Sequence, residues 1–396
     1  MAVRALHRRV DAATQQPAQH KPRGPTPDLA LLKQLKRQMI DRHVRPDNAR
    51  GLAMVLTTLL PIVALFALVL PSAEWSWALT AALVPLTSLF LLRAFVLMHE
   101  CGHGSLFRSG RLNRGFGFVL GVVTGMPQYV WSQHHQYHHA TNGNWARYGG
   151  PMDIMAAHDY AAMSAPQQRR YRNARSLWLA PFAGFLYLIV NPRFNWLKGS
   201  LQLLAHVAGA KIKQPRVPLR DHARGFKTPY WASPSEYWHM FWNNAVLLAL
   251  WVGLAGLLGP VLFFVFYVAS VSLAGGAGIV IFTVQHNFEH AYASGDAGWD
   301  YHRAALEGSS FLQLPAWLNW FTANIAYHHV HHLSARIPSY CLRGCHDEYA
   351  TLFAKVTRVR LTQIPQSLRC ILWDTLGQRI VSVADYQQQQ AALRAA

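Results

Sequence analysis

Four histidines lie within five residues in the last quarter of the chain, at positions 328, 329, 331 and 332. In a helix, His328, His331 and His332 would follow i, i+3 and i+4 spacing and share one face. A neutral imidazole nitrogen is a good ligand for iron, copper, zinc or nickel. The spacing therefore favours a metal-binding segment, and a chance run of histidines is the alternative that this cluster alone leaves open.

Three further clusters repeat this kind of spacing elsewhere in the chain. Positions 99/103 and 286/290 form i, i+4 pairs, and positions 135, 138 and 139 repeat the i, i+3, i+4 pattern. Twelve of the 21 histidines lie in the four clusters: His99, His103, His134, His135, His138, His139, His286, His290, His328, His329, His331 and His332. A structural zinc ion needs only four ligands, whereas two metal ions with about five ligands each would use most of this set. The excess predicts a two-metal site.

The composition indicates a membrane protein. Of the 396 residues, 52% are hydrophobic and only 14% are charged, against about 25% charged in a typical soluble domain. The apolar residues are grouped into long runs, as in membrane proteins. The net charge of +19 then indicates cytoplasmic segments and contacts with anionic headgroups. No nucleic-acid-binding motif accompanies the charge, so no nucleic-acid partner is expected.

The first fifty residues are polar and basic and lack a long apolar run, so no signal peptide is predicted. We interpret residues 1–50 as a basic cytoplasmic tail that is disordered through Pro27. The stretch from Leu29 to His43 is predicted to form a basic amphipathic helix on the membrane surface, with a solvated tail as the alternative. The four cysteines fit neither a disulfide framework nor a CxxC pair.

Four apolar segments are long enough to cross a membrane: residues 51–70, 77–98, 241–259 and 261–284. They pair through short turns into two hairpins, which predicts an all-α integral membrane protein with four transmembrane helices. The basic tail places the entry side in the cytoplasm, so the histidine clusters are predicted to form a cap on that side. Residues 351–396 are predicted to be a cytoplasmic C-terminal tail without site chemistry.

Clusters that share one metal site must lie on one face of the membrane. The segment from Gly115 to Val130 joins two clusters, so it cannot cross once and is predicted to be shallow or re-entrant. The segment from Leu177 to Val190 would be about 21 Å long as a helix, short of the ~30 Å hydrocarbon core, and is predicted to lie at the interface. The basic loop that contains Arg220 is then also cytoplasmic.

The order HxxxH, HxxHH, HxxHH resembles the histidine boxes of the membrane fatty acid desaturases, a four-span, non-haem di-iron family. The boxes here begin at His99, His135 and His328. Trp131 before the second box and the sequence HHLSARIP at 331–338 are most similar to the Δ12/ω-6-type acyl-lipid branch. The resemblance covers roughly residues 50 to 350, and we assign residues 51–350 to a fatty acid desaturase domain.

The resemblance also implies which histidines bind metal. Members of the family supply one further histidine from the end of the fourth span, where His286 lies. The implied set has nine ligands: His99, His103, His135, His138, His139, His286, His328, His331 and His332. His134, His290 and His329 remain outside this set and are interpreted as packing or supporting residues.

The same resemblance implies two non-haem iron ions, O2 as co-substrate, and a membrane lipid or acyl thioester as substrate. No fused haem-binding domain is visible, so electrons are expected from a separate ferredoxin or cytochrome b5-type protein that docks on the cytoplasmic face. A multi-pass location in a bacterial inner membrane is expected. The sequence leaves open the position of the double bond, the acyl carrier, the identity of the donor and the oligomeric state.

Elementary chemistry points the same way. Acid–base side chains cannot remove hydrogen from an unactivated methylene, so a redox metal and O2 must carry that step. Neutral imidazole ligands leave the charge of oxidised iron poorly compensated, which favours a strong oxidant. Glu100, Asp153 and Glu289 are candidate carboxylates for orienting the imidazoles, with solvated surface positions as the alternative.

Other functions share some of these residues. Residues 99–103 match the HExxH motif of zinc proteases, with Glu100 as the general base, but that assignment leaves the other clustered histidines without a role. A metal transporter would want ionisable residues inside the spans, which are nearly free of them. A hydroxylase, epoxygenase, acetylenase or carotenoid ketolase of the same superfamily has the same boxes and differs only in its product.

Overall fold

A computed structural model describes residues 29–147, 154–375, 377 and 379–395 of the protein. The predicted disorder through Pro27 and the predicted role of Asp153 lie outside the described residues. The described residues are mostly helical. Their eighteen α-helices are α1 (Leu29–His43), α2 (Asn48–Trp75), α3 (Trp77–His103), α4 (Gly110–Thr124), α5 (Gln128–Thr141), α6 (Ala157–Ala162), α7 (Ala165–Ala174), α8 (Ala180–Phe185), α9 (Asn191–Lys213), α10 (Leu219–Arg224), α11 (Pro234–Leu258), α12 (Pro260–His286), α13 (Tyr301–Glu307), α14 (Ala316–Phe321), α15 (His328–Leu333), α16 (Ser339–Glu348), α17 (Ile364–Ser367) and α18 (Val383–Ala395).

Five helical stretches among the described residues are long and apolar enough to cross a membrane: Asn48–Trp75, Trp77–His103, Leu177–Lys213, Pro234–Leu258 and Pro260–His286. Four of them, α2, α3, α11 and α12, contain the four predicted spans. The fifth contains the segment at 177–190 that was predicted to be too short to span. Its helical path instead continues for 37 residues.

The fifth stretch, Leu177–Lys213, continues because its internal proline is accommodated. A short 3-10 turn, α8, a π-helical turn (Leu186–Val190) and α9 follow one another without a break. Pro192 lacks an amide hydrogen and would ordinarily kink or end a helix. The guanidinium of Arg193 donates a hydrogen bond to the carbonyl of Leu188 at 2.8 Å, which is the carbonyl that an amide at position 192 would have bonded in an α-helix.

Helices α8 and α12 cross with their backbones in close contact. A Cβ added at Gly184 would lie 2.3 Å from the carbonyl carbon of Gly275, and one added at Gly276 would lie 2.8 Å from the Cα of Pro181. Such distances leave no room for any side chain, so the crossing requires glycine on both helices. The contact fixes the fifth stretch against the helix that ends at His286.

Helix α1 is amphipathic as the sequence indicates, but its apolar face packs on the protein. Leu32 and Met39 are fully buried and belong to one apolar cluster with Val330 and Leu342 of the histidine-bearing cap. The prediction of a helix lying on the membrane surface is therefore corrected. The apolar side chains that we assigned to the lipid side cover α15 and α16 instead.

Two small sheets complete the cap and correct the expectation of an all-α fold. β1 (Met155–Ala156), β4 (Cys370–Asp374) and β5 (Arg379–Ser382) form one sheet, with β1 parallel and β5 antiparallel to β4. β2 (Phe311–Gln313) pairs in parallel with β3 (Arg358–Arg360). Residues 358–360, 370–374 and 379–382, which we predicted to belong to a C-terminal tail, therefore form strands of these sheets. Strands this short carry no readable sequence period. β3 and β4 also pair with strands far away in the chain, whereas β5 pairs with its neighbour β4.

Candidate metal centre

Four helices bring the histidine clusters to one place. α3 ends with His99 and His103, and α12 ends with His286. α5 carries the second cluster and α15 the fourth, both on helical faces as the i, i+3, i+4 spacing predicted. Gly104 ends α3 with a φ of 68°, a conformation that glycine adopts without strain. The chain therefore turns away directly after His103.

The nine predicted ligands form two groups. In each group, one imidazole nitrogen per histidine lies within 4.8 Å of the corresponding nitrogens of all the others. The five-histidine group consists of His99, His103, His135, His139 and His331. The four-histidine group consists of His138, His286, His328 and His332. Ligands from the second cluster are divided between the groups, so α5 lies between them.

The distances within the groups fit metal coordination. In the five-histidine group, His135 Nε2 lies 2.9 Å from His99 Nε2 and 3.0 Å from His139 Nε2. In the four-histidine group, His328 Nε2 lies 2.9 Å from His286 Nε2 and 3.0 Å from His332 Nε2. Two imidazole nitrogens that bind one metal ion at about 2.1 Å and at right angles lie about 3.0 Å apart. The donor set therefore suits a transition-metal ion in each group.

The imidazoles are held in the form that binds metal. Eight of the nine are buried, and His103 is half-buried. Burial lowers the pKa of His135, His138 and His328 well below its ordinary value, and neighbouring imidazoles lower it further. Because desolvation disfavours the protonated ring, these side chains are neutral at neutral pH. Each then has one nitrogen lone pair available for a metal ion.

Glu100 connects the first and last histidine boxes. Its carboxylate is fully buried, and Oε2 accepts hydrogen bonds from Ser105 Oγ at 3.0 Å and from the backbone N–H of Ser339 at 2.9 Å. Oε1 lies 3.2 Å from Nδ1 of His99 and 4.0 Å from Nδ1 of His331. A carboxylate beside the outer nitrogen of an imidazole fixes its tautomer and orients the ring.

A backbone carbonyl plays the same part for His286. Its Nδ1 lies 3.1 Å from the carbonyl oxygen of Gly308, which can only accept a hydrogen bond. The proton of the neutral ring is therefore on Nδ1, and Nε2 presents its lone pair to the four-histidine group.

A cavity of about 940 Å³ runs beside both groups. Its wall is mostly apolar and includes Leu92 and Phe95 of α3 and Phe282 of α12. Four of the nine histidines also line it: His99, His135, His138 and His328. Because the first two belong to the five-histidine group and the last two to the four-histidine group, a molecule in the cavity would lie beside both groups.

Comparison with known proteins gives the family. The family model of fatty acid desaturases matches residues 75–363. The chain belongs to the fatty acid desaturase family. A fatty acid desaturase of Bacillus subtilis is 32% identical over 352 residues, which cover 88% of this chain and 90% of that protein. Two proteins named sn-1 oleoyl-lipid 12-desaturase are also similar. The one from Picosynechococcus sp. is 26% identical, and the match covers 85% of this chain and 87% of that protein. The one from Synechocystis sp. is 23% identical, and the match covers 69% of this chain and 66% of that protein.

The family assignment made from the histidine boxes is thus confirmed, and the chain is an enzyme of this family.

The remaining candidate histidines of this desaturase lie outside both groups. His134 is exposed, and His290 is exposed with a φ of 66° and lies 3.6 Å from Glu289. His329 is buried, with Nε2 2.9 Å from Nδ1 of His346. Of the predicted orienting carboxylates, Glu289 is half-exposed and Glu100 alone contacts a predicted ligand within the described part of the chain.

The sequence did not single out Tyr187, which braces a predicted ligand of the desaturase. The ring of Trp131 stacks on His135 with a centroid distance of 4.5 Å and an interplanar angle of 15°. Its indole Nε1 donates a hydrogen bond to the hydroxyl of Tyr187 at 2.8 Å. Tyr187 lies in the π-helical turn, and such turns occur frequently at functional sites. The π-helical turn is defined by its backbone hydrogen bonds, and the order of residue types in the sequence does not reveal it.

Replacing Glu100 by glutamine tests the orienting role of the carboxylate. The substitution keeps the size of the side chain and an acceptor for the Ser339 amide, so we expect the folded enzyme to accumulate normally. Loss of the charge beside His99 should lower metal affinity or activity about 10–100-fold, measured as metal content and turnover of the purified protein. Glu289→Gln is the control and should change neither. Wild-type metal content and turnover in Glu100→Gln would contradict the assignment.

Proposed function

We propose that the enzyme introduces a cis double bond into an acyl chain at a centre of two iron ions, with O2 as the oxidant. The observation that carries this proposal is the apolar cavity whose wall includes histidines of both groups. A saturated acyl chain offers no polar group along its length, so burial of apolar surface is what binds it. An acyl chain in the cavity would displace water from the position beside the histidines.

The five-histidine group would hold one iron ion and the four-histidine group the other. With O2, the bound ions would supply the oxidation of an unactivated methylene, for which acid–base side chains are too weak. The overall reaction balances as follows: the acyl chain loses two hydrogen atoms and gains a C=C bond, O2 becomes two water molecules, and two electrons and two protons enter from outside. Glu100 and the Gly308 carbonyl keep the imidazoles oriented throughout.

We propose that a separate ferredoxin or cytochrome b5-type protein delivers the electrons on the cytoplasmic face. Exposed basic side chains on the cap, such as Lys33, Arg37 and Arg343, suit a partner with an acidic surface, because complementary charge speeds and orients encounter.

We propose that the substrate chain is esterified to a membrane lipid. The relatives named sn-1 oleoyl-lipid 12-desaturase carry such a substrate in their name. The wall of the cavity includes residues of α3, α12 and the fifth stretch, all of them long apolar helical stretches, so a lipid-bound chain could enter it without leaving the membrane. An acyl thioester is the alternative that product analysis would reveal.

We propose a multi-pass protein of the bacterial inner membrane with four spans, α2, α3, α11 and α12, and with the histidine groups in the cytoplasm. Two contacts of the fifth stretch support a path that enters the membrane and returns. Gly184 near its start meets Gly275, eleven residues before His286, and Gly199 farther along meets Trp231, which precedes α11. Gly275 lies in the half of α12 that ends at His286, and Trp231 lies three residues before the start of α11. The loop that follows the fifth stretch is basic, as cytoplasmic loops are.

Topology mapping tests this arrangement. A tag inserted beside Arg220 should be accessible from the cytoplasm only, because an even number of spans separates that loop from the histidines. A tag inserted at the turn between α11 and α12, beside Gly259, should be accessible from the outside only. Labelling of the Arg220 tag from the outside would mean that the fifth stretch crosses the membrane.

Expression in a host with a simple lipid profile, followed by double-bond mapping of its fatty acids, tests the reaction. We expect new unsaturated chains with the wild-type enzyme, none with His138→Ala, and wild-type amounts with the exposed control His158→Ala. Hydroxylated, epoxidised or ketone products would assign the chain to another reaction of the superfamily. Full activity in His138→Ala would contradict the shared metal site.

Variants of His286 and His290 form a matched pair. His286 is the last residue of α12 and belongs to the four-histidine group, whereas His290 lies four residues later and outside both groups. His286→Ala should lower iron content and abolish desaturation, since its Nε2 lies 2.9 Å from that of His328. His290→Ala should leave iron content intact, because its ring is exposed and outside both groups. Iron analysis of the purified variants distinguishes them. Exchanged behaviour of the two variants would make His290 the ligand.

A further inference from the structure

Three glycines near the end of α12 have different surroundings. Gly275 and Gly276 lie at the crossing with α8, where an added Cβ would be 2.8 Å from backbone atoms of Gly184 or Pro181. These distances are too short for any side chain, so both glycines serve helix packing. Gly278 is different. A Cβ at that position would meet only Cδ1 of Leu92 within 4 Å, at an ordinary contact distance of 3.8 Å.

Gly278 faces the cavity. Both Gly278 and Leu92 belong to the cavity wall, and they are neighbours in it, on α12 and α3. Gly278 precedes His286 by eight residues, and Leu92 precedes His99 by seven, which corresponds to about 12 Å and about 10 Å along the two helices. The pair therefore lies deeper in the apolar layer than the histidine groups, at a level that the far part of an acyl chain would reach.

We propose that Gly278 and Leu92 together set how much of the acyl chain fits beyond the metal centre, and so set the chain-length selectivity of the enzyme. This inference rests on the proposed function of the cavity as the acyl site. Glycine at position 278 leaves space that a side chain would fill, and the neighbouring Leu92 side chain limits that space. A closely packed wall does not yield to added atoms without cost, so the pair acts as a steric limit.

The size of the effect follows from burial. A methylene that leaves the apolar cavity for water loses ~0.8 kcal/mol, which is about fourfold in binding. A leucine at position 278 occupies the space of several methylenes. We therefore expect Gly278→Leu to disfavour the longest accepted chain relative to the shortest by at least about tenfold.

A competition experiment measures this selectivity. Cells that express each variant are fed an equal mixture of fatty acids of stepwise increasing length, and the ratio of long to short unsaturated products is determined. Gly278→Leu should lower the ratio, and Leu92→Ala should raise it. The double variant should return towards the wild-type ratio, because the two changes offset each other in volume. Gly256→Leu is the matched control, since an added Cβ there meets nothing within 4 Å, and Gly256 lies outside the cavity wall.

Binding gives a second measurement that does not depend on turnover. Heat denaturation of the purified enzyme should be delayed by long fatty acids in the wild type and only by shorter ones in Gly278→Leu. Gly278→Ala replaces the leucine variant if the latter does not accumulate, and its shift should have the same sign. Gly275→Leu, by contrast, should fail to accumulate because its side chain has no space.

The outcomes separate this inference from the proposed function. Wild-type product ratios and wild-type protection in a folded Gly278→Leu or Gly278→Ala enzyme, together with an unchanged ratio in Leu92→Ala, would overturn the role of the pair. A wild-type enzyme that produces no unsaturated chain from any fatty acid in the series would instead contradict the proposed function, and the steric limit would fall with it.

Discussion

The convergence of nine imidazole nitrogens on two points is the constraint on which the rest of the structure depends. Neutral nitrogens with their lone pairs directed at a common centre repel one another, and burial lowers the pKa of rings such as His135 and His331, so protons do not relieve the repulsion. A metal ion at each centre turns this repulsion into coordination. Ions bound at the two groups would therefore contribute to the stability of the fold around them, in the way that metal binding contributes to folding elsewhere.

The fold meets this constraint by ending helices where ligands are needed. α3 ends at His103 and α12 ends at His286, so each long apolar helix positions a predicted ligand at its last residue. The short helices α5 and α15 supply the rest from the cap side. Glu100, fixed by Ser105 and Ser339, ties the end of α3 to the start of α16. This carboxylate makes the first and last histidine boxes a single unit.

The parts of the structure that follow from local spacing could be predicted from the sequence. The i, i+3, i+4 pattern gave the shared faces at His135 and His328, and the apolar runs gave the positions of the four long helices. The parts that depend on non-local contacts could not. Arg193 donates a hydrogen bond to the Leu188 carbonyl, which Pro192 leaves without its helical partner. Trp131 donates a hydrogen bond to Tyr187. Neither hydrogen bond follows from a periodic pattern in the sequence. β3 and β4 pair with β2 and β1, which lie far away in the chain. α1 buries its apolar face against α15 and α16 rather than in lipid, because amphipathicity indicates a buried face but not what covers it.

The same distinction applies to the glycines of α12. From the sequence, close helix packing is the commoner explanation for all three, and space for a lipid chain is the alternative. The backbone contacts distinguish the three, with packing at Gly275 and Gly276 and open space at Gly278.

Metal analysis of the enzyme purified from cells under mild conditions tests whether each histidine group holds an iron ion. We expect two iron ions per chain, with both retained in the exposed control His158→Ala and lost in His331→Ala. A single zinc ion per chain, or a His331→Ala variant that retains two irons, would contradict this expectation.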